Sequence, residues 1–102
     1  MPTAVFADND LLASTCISAL VDQGFNVPND ISIIGFGDYS LCQMFLPALT
    51  SIHVPMHHLG SLSVTRLIKK IKCEARTALK IELATSLVVR NSVKDLNNIK
   101  ST

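Results

Sequence analysis

Tryptophan is absent from this 102-residue chain, tyrosine occurs once, and only 17% of residues are charged, against roughly 25% in an average globular domain. So little charge beside so many apolar residues excludes a disordered chain. Cysteine is scarce as well: Cys16, Cys42 and Cys73 are an odd number, far apart, with no C-x-x-C. That excludes a disulfide framework and a zinc knuckle and fits reduced, buried thiols. No basic segment precedes an apolar core at the amino terminus, so a signal peptide is not expected. Residues 39–65 lack Lys, Arg, Asp and Glu over a length that could cross a bilayer. Pro47, Pro55 and Gly60 interrupt that stretch, and His53, His57, His58, Gln43, Thr50 and Ser51 would be costly in hydrocarbon. The expectation is a soluble, cytoplasmic chain with no membrane partner.

Bases are missing from the whole first part of the chain. All nine Lys and Arg lie from Arg66 onward, while residues 1–65 carry five Asp. The run Arg66, Lys69, Lys70, Lys72, Arg76 and Lys80 has the charge of a nucleic-acid patch but no interleaved aromatic residue to stack on bases. Cations at the end of an amphipathic helix complement its dipole, and that is the preferred reading. What is abundant is apolar residue, 48% of the chain. A body of this size makes one domain and buries roughly 60 to 70% of its unfolded surface, so part of the apolar surplus is expected to face a partner.

The hydrophobic pattern predicts an α/β architecture. Thr3–Ala7 reads as a strand, and Asp8, Asn9 and Asp10 as capping residues before a helix over Leu11–Gln23. In that helix Leu12, Cys16, Ile17 and Leu20 form one apolar face, with Leu11, Ala13, Ala19 and Val21 leaving little of the circumference polar. Gly24 stands where a helix stop belongs. Ile31–Phe36 is apolar enough for a strand buried on both faces of a parallel sheet, so the first three elements predict a right-handed βαβ unit. A loop or short helix over Gly37–Leu46, a strand over Leu49–Val54 and a helix over Met56–Lys72 follow, the last with Leu59, Leu62, Leu67, Ile68 and Ile71 inward. A final strand over Lys80–Val89 and a polar, frayed tail over residues 93–102 complete the pattern.

Catalytic signals are weak, and the chain is not expected to be an enzyme. Gly35-Phe36-Gly37 starts a dinucleotide fingerprint, but Ser40 replaces its third glycine and Asp38 would repel phosphate. His53 and His57 have metal-ligand spacing, yet Pro55 between them opposes a shared helix. No metal and no cofactor are implied. What remains is a set of polar residues at the carboxyl ends of parallel strands: Asp8, Asn9 and Asp10, then Gly37 and Asp38, then Val54 to Met56. Open α/β sheets bind ligands at that edge.

These residues carry a resemblance. PTAVFADNDLLA resembles P-T-A-[IV]-x-A-x-N-D-x-x-A of the lactose-repressor (LacI/GalR) family of transcription regulators, and VPNDISIIGFGD is similar to its [VI]-P-x-D-[IV]-S-[VI]-[VI]-G-[FY]-D-[DN]. PALTSIHVPMHHLG looks like P-x-L-T-T-[IV]-x-x-P-x-x-x-[LI]-G, and LATSLVVRNS like L-P-T-x-L-V-x-R-x-S. The resemblance implies the carboxy-terminal part, residues 1–92, of an effector-binding and dimerisation domain of type I periplasmic-binding-protein fold. A family member carries a helix-turn-helix headpiece ahead of two such subdomains, so the chain is expected to be a fragment or a truncated reading frame that meets operator DNA only through a headpiece outside it.

The resemblance also implies roles. Asn9 contacts hydroxyls or equivalent polar groups of a sugar-like small-molecule effector, Asp10 matches the Asp that starts the helix, and Met56 lines the cleft with apolar surface; from its own chemistry Asp10 is read as the helix cap at the cleft. An acidic residue that commonly grips the effector is replaced by Gly37, with Asp38 next to it; losing such a charged acceptor costs on the order of 1.5–3 kcal/mol per bond unless Asp38 reaches in. Leu41, Met44 and Phe45, with Leu12 and Cys16, are expected at the interface of a homodimer or larger oligomer. The competing expectation is an association module without a ligand.

Overall fold

A computed structural model describes residues 2–74 and 76–97. Its elements are β1 (Ala4–Phe6), α1 (Asp10–Asp22), β2 (Ser32–Gly37), a short 3-10 helix (Ser40–Gln43), β3 (Thr50–His53), α2 (Met56–Ile71) and β4 (Ser86–Val88). The sheet order is β1-β2-β3-β4. β1, β2 and β3 run parallel, with Val5 opposite Ile33 and Phe36 opposite Ile52, and β4 closes the edge antiparallel to β3 through Ser51 opposite Val88. The expected α/β class and mostly parallel open sheet are therefore present.

Local chemistry explains the boundaries of α1. Asn9, in extended backbone, accepts from the Leu12 N–H at 2.9 Å, which satisfies one of the orphan donors of the first turn. The cap role expected of Asp10 thus falls to its neighbour, and Asp10 is the first helical residue. At the other end Gly24 has φ +90, the Gly24 N–H donates to the Val21 carbonyl and the Phe25 N–H to the Leu20 carbonyl. This pairing is a Schellman stop, for which glycine is favoured because the left-handed backbone costs it nothing.

The chain divides into two compact units, one of residues up to His53 with those from Ser86 onward, the other Val54–Thr85. In the first, Ala13 and Ile17 of α1 are buried with Ala7, Ile31, Ile33, Cys42 and Leu49, and Val5, Cys16, Leu20, Val27 and Phe45 pack against them. The inward face of α1 is therefore set by Ala13 and Ile17. Leu12, expected in that face, is 53% exposed. Cys16 and Phe45 support the core from its margin.

The second unit differs from expectation. No residue of α2 is buried, and Leu59, Leu67, Ile68 and Ile71 are all exposed. Its apolar stripe faces an open hollow of about 450 Å³ against Ala78, Leu79, Ile81 and Leu83. The strand expected over Lys80–Val89 is confined to Ser86–Val88, because a ladder needs a partner and β3 offers residues only from Ser51 to His53. At the start of the expected tail the Lys94 N–H donates to Ser32 Oγ at 2.9 Å and its ammonium to the Asn29 carbonyl. Residues 98–102 of the expected tail lie outside the described residues. Among the described residues no helix is long and apolar enough to cross a membrane.

Candidate functional site

The carboxyl ends of β2 and β3 and the start of α1 meet in a polar lattice. Asp10 is fully buried, which is tolerable only because its carboxylate is partnered. Its Oδ1 accepts from the Ser51 hydroxyl at 2.7 Å, and its Oδ2 from the Tyr39 N–H at 2.8 Å. Gly35 leaves the room for it, since a Cβ there would collide with Asp10 Oδ1. Ser51 Oγ in turn accepts from the Asp38 N–H at 3.0 Å. One carboxylate on α1 thus ties the helix start to β3 and to the turn after β2.

That turn is made by two consecutive residues in the left-handed region, Gly37 (φ +119) and Asp38 (φ +57). The first conformation suits glycine, and the second is one that Asp tolerates better than most residues. The turn brings the Asp38 carboxylate back over the sheet edge. Its Oδ1 accepts from Arg90 Nη2 at 2.6 Å, and its Oδ2 lies 3.0 Å from His53 Nδ1. Burial would raise the Asp38 pKa, but hydrogen bonds from Arg90 and His53 and the charges on both outweigh it and hold the group below the ordinary carboxylate value. Asp38 is therefore ionised, acts only as an acceptor, and has both oxygens engaged.

Arg90 is anchored twice more, its Nη1 donating to the Leu49 carbonyl at 2.7 Å and its backbone N–H to Thr50 Oγ1 at 2.9 Å. Two residues on, buried Ser92 donates to the Ile33 carbonyl and accepts from the Thr50 N–H. Among the described residues no buried side-chain polar atom lacks a partner, as a stiff polar network requires. Cys42 is buried beside the Asp10 carboxylate, and desolvation first, then that neighbour, push its thiol up to about 12. A thiol so seldom ionised has little nucleophile in it.

The residues singled out from the sequence are only partly brought together. Asn9, Asp10, Gly37 and Asp38 share the carboxyl edge in the first unit. Met56 opens α2 and belongs to the second unit. Of the residues expected at an interface, Leu12 and Met44 are exposed, Leu41 is half-buried, and Cys16 and Phe45 support the core. Leu11 and Leu46, not assigned from sequence, are strongly exposed, and Leu11 lines a shallow hollow with Asn9, Tyr39 and Leu41. Ser51, His53 and Arg90 were not expected as partners of these acids, although Ser51 and His53 lie in the PALTSIHVPMHHLG string and Arg90 in the closing LATSLVVRNS string.

The sheet is open and mostly parallel with a polar carboxyl edge, and residues 1–93 match the family described as "Periplasmic binding protein-like domain". The HTH-type transcriptional repressor PurR of Photobacterium profundum is 41% identical over 96 residues, which cover 94% of this chain and 29% of that protein. The lac repressor dimer bound to operator and the anti-inducer ONPF superposes with a TM-score of 0.81 at 33% identity, over 90% of this chain and 32% of that one. The transcriptional regulator CelR–cellobiose complex gives a TM-score of 0.84 at 30% identity, over 88% of this chain and 28% of that one. The chain belongs to the LacI/GalR family of transcriptional regulators, as part of the effector-binding domain. It spans under a third of the length of the curated relatives it matches.

Proposed function

We propose that residues 1–92 contribute one side of a small-molecule effector site and a pairing surface to a LacI-type regulator that works in the cytoplasm. The observation that carries this reading is the lattice of Asp10, Ser51, Asp38 and Arg90 at the carboxyl ends of parallel strands, where such sheets hold ligands. Positioning of this kind is what a ligand site needs in advance of binding. Asn9 adds a donor: its Oδ1 caps α1, and its amide nitrogen has no hydrogen-bond partner among the described residues. A sugar-like effector fits that chemistry, as the cellobiose of one structural neighbour illustrates. In a complete regulator, ligand would shift the population of dimer geometries that present a headpiece to operator DNA. The chain itself would not act as an enzyme or recognise an operator, and Arg66 to Lys80 would give only salt-sensitive, sequence-indifferent contact with DNA.

The test is a titration of the chain with cellobiose, followed by amide chemical shifts. Saturable shifts clustered at Asn9, Asp38 and Tyr39, weakened in Asn9→Ala, support the reading; shifts absent from that edge overturn it. Affinity is expected to be poor, because a ligand held from one side forfeits much of its buried contact.

A second reading, association without ligand, is favoured by one observation: Leu11, Leu12, Met44 and Leu46 are exposed at 68, 53, 81 and 93%. Exposed apolar groups of this size mark an interface, and two-fold pairing is the commonest way to cover one. The structural neighbour solved as a lac repressor dimer supports pairing of this kind. Sedimentation should show a dimer that Met44→Asp or Leu46→Asp shifts toward monomer, and a wild-type chain that stays monomeric at high micromolar concentration contradicts it.

A further inference from the structure

Asp38 stands beside the position where the resemblance places an effector-gripping acid, yet it has nothing left to grip with. Its two oxygens are committed to Arg90 and His53, and its side chain is only 13% exposed. His53 is the member of the cluster that reaches solvent, with 49% of its side chain exposed at the carboxyl end of β3. The contact between them fixes the ring. An ionised carboxylate can only accept, so the ring nitrogen facing it, Nδ1, carries the hydrogen, and in the neutral ring Nε2 then holds a lone pair. Among the described residues that Nε2 has no hydrogen-bond partner. Arg90 completes the arrangement by holding the other carboxylate oxygen at 2.6 Å, so that Asp38 cannot swing away from the ring.

We infer that His53 is a specificity-determining residue of this site, its Nε2 accepting a hydrogen bond from an uncharged effector that presents an O–H or ring N–H donor, with Asp38 as the positioning residue. The inference rests on the effector-binding reading above and narrows it. In the neutral form of the ring, the acceptor that Gly37 lacks is supplied from the neighbouring strand. A neutral acceptor at a solvent-facing edge pairs with one donor at a time, whereas a carboxylate can take two hydroxyls.

The test uses the full chain at pH 8 with two probes, cellobiose as the O–H source and uracil as the ring N–H source. Long-range nitrogen–proton spectra of the free chain should show His53 as the Nδ1–H tautomer, and a dominant Nε2–H tautomer overturns the inference whatever binds. On titration, the His53 Nε2 resonance should move with the better-bound probe, and the probe that moves it identifies the donor. His53→Phe, which keeps the ring and removes the acceptor, should weaken that probe by about tenfold, while His53→Gln, which restores an acceptor, should recover part of the loss. Asp38→Asn should shift the tautomer ratio of His53; because that change also deprives Arg90 of its counterion, the wild-type tautomer decides if the variant fails to fold. If a probe binds at Asn9 and Tyr39 while His53 stays unmoved and His53→Phe binds as well as wild type, the inference fails and the effector reading stands. If neither probe shifts any residue at the carboxyl edge, the effector reading itself fails, and the inference with it.

Discussion

The two compact units use similar apolar material to opposite effect. In the first, α1 is apolar over more than half of its circumference, and it buries Ala13 and Ile17 against β2 and its neighbours. In the second, α2 turns Leu59, Leu62 and Leu67 toward a hollow that Arg66 and Lys70 also line, and none of its residues is buried. A helix stripe is an offer of burial, and the sheet that accepts it decides whether a core forms. Where that sheet is present, it also fixes a polar lattice. Where no covering surface lies within the unit, regular patterning produces a helix and an open hollow.

The comparison predicts where substitutions should matter. Asp10→Ala should have the largest effect, because the Ser51 hydroxyl and the Tyr39 N–H both lose their acceptor in a fully buried place; the expected loss is about 3 kcal/mol or more, read by denaturant unfolding. Asp38→Asn should follow at about 2–3 kcal/mol, the low end for a broken ion pair because the pair keeps some solvent. The sign of its pH dependence is set by the depressed pKa. The folded chain holds the ionised form more tightly than the unfolded chain does, so this contribution is present above the ordinary carboxylate value of 3.8 and drains away as pH falls through the lower folded value. Wild type should lose stability in that acid window more steeply than Asp38→Asn does.

Gly37→Asp, which restores the acid common in the family, should cost about 1–3 kcal/mol, because φ +119 is costly for any residue with a side chain. A variant as stable as wild type would show that the turn is not held by its neighbours. At the small end, Leu67→Ser on α2 should change the unfolding free energy by no more than about 0.5 kcal/mol. A loss as large as a core truncation would mean that the second unit has a core after all.

Much of the first unit was legible from local signals. The βαβ order, the Gly24 stop and the polar carboxyl edge all follow from neighbours in the chain. Asn9 and Asp10 were harder to separate, since adjacent residues both had capping chemistry and only the backbone shows which one is extended. The lattice was not legible, because Asp10 meets Ser51 across 41 positions and Asp38 meets Arg90 across 52. Nothing in the local pattern near Asp38 announces an arginine. The misreading of α2 has a different cause, for periodicity reports which face is apolar and is silent on whether a surface covers it.

Amide hydrogen exchange tests the contrast most directly, since exchange reports the free energy of opening segment by segment. The amides of Ile33, Tyr39 and Thr50, which donate to Ser92, Asp10 and Ser92 in turn, should exchange at least about a hundredfold more slowly than those in the middle of α2, and Asp10→Ala should abolish the difference at Tyr39 first. Equal protection across α2 and these three amides would contradict the account.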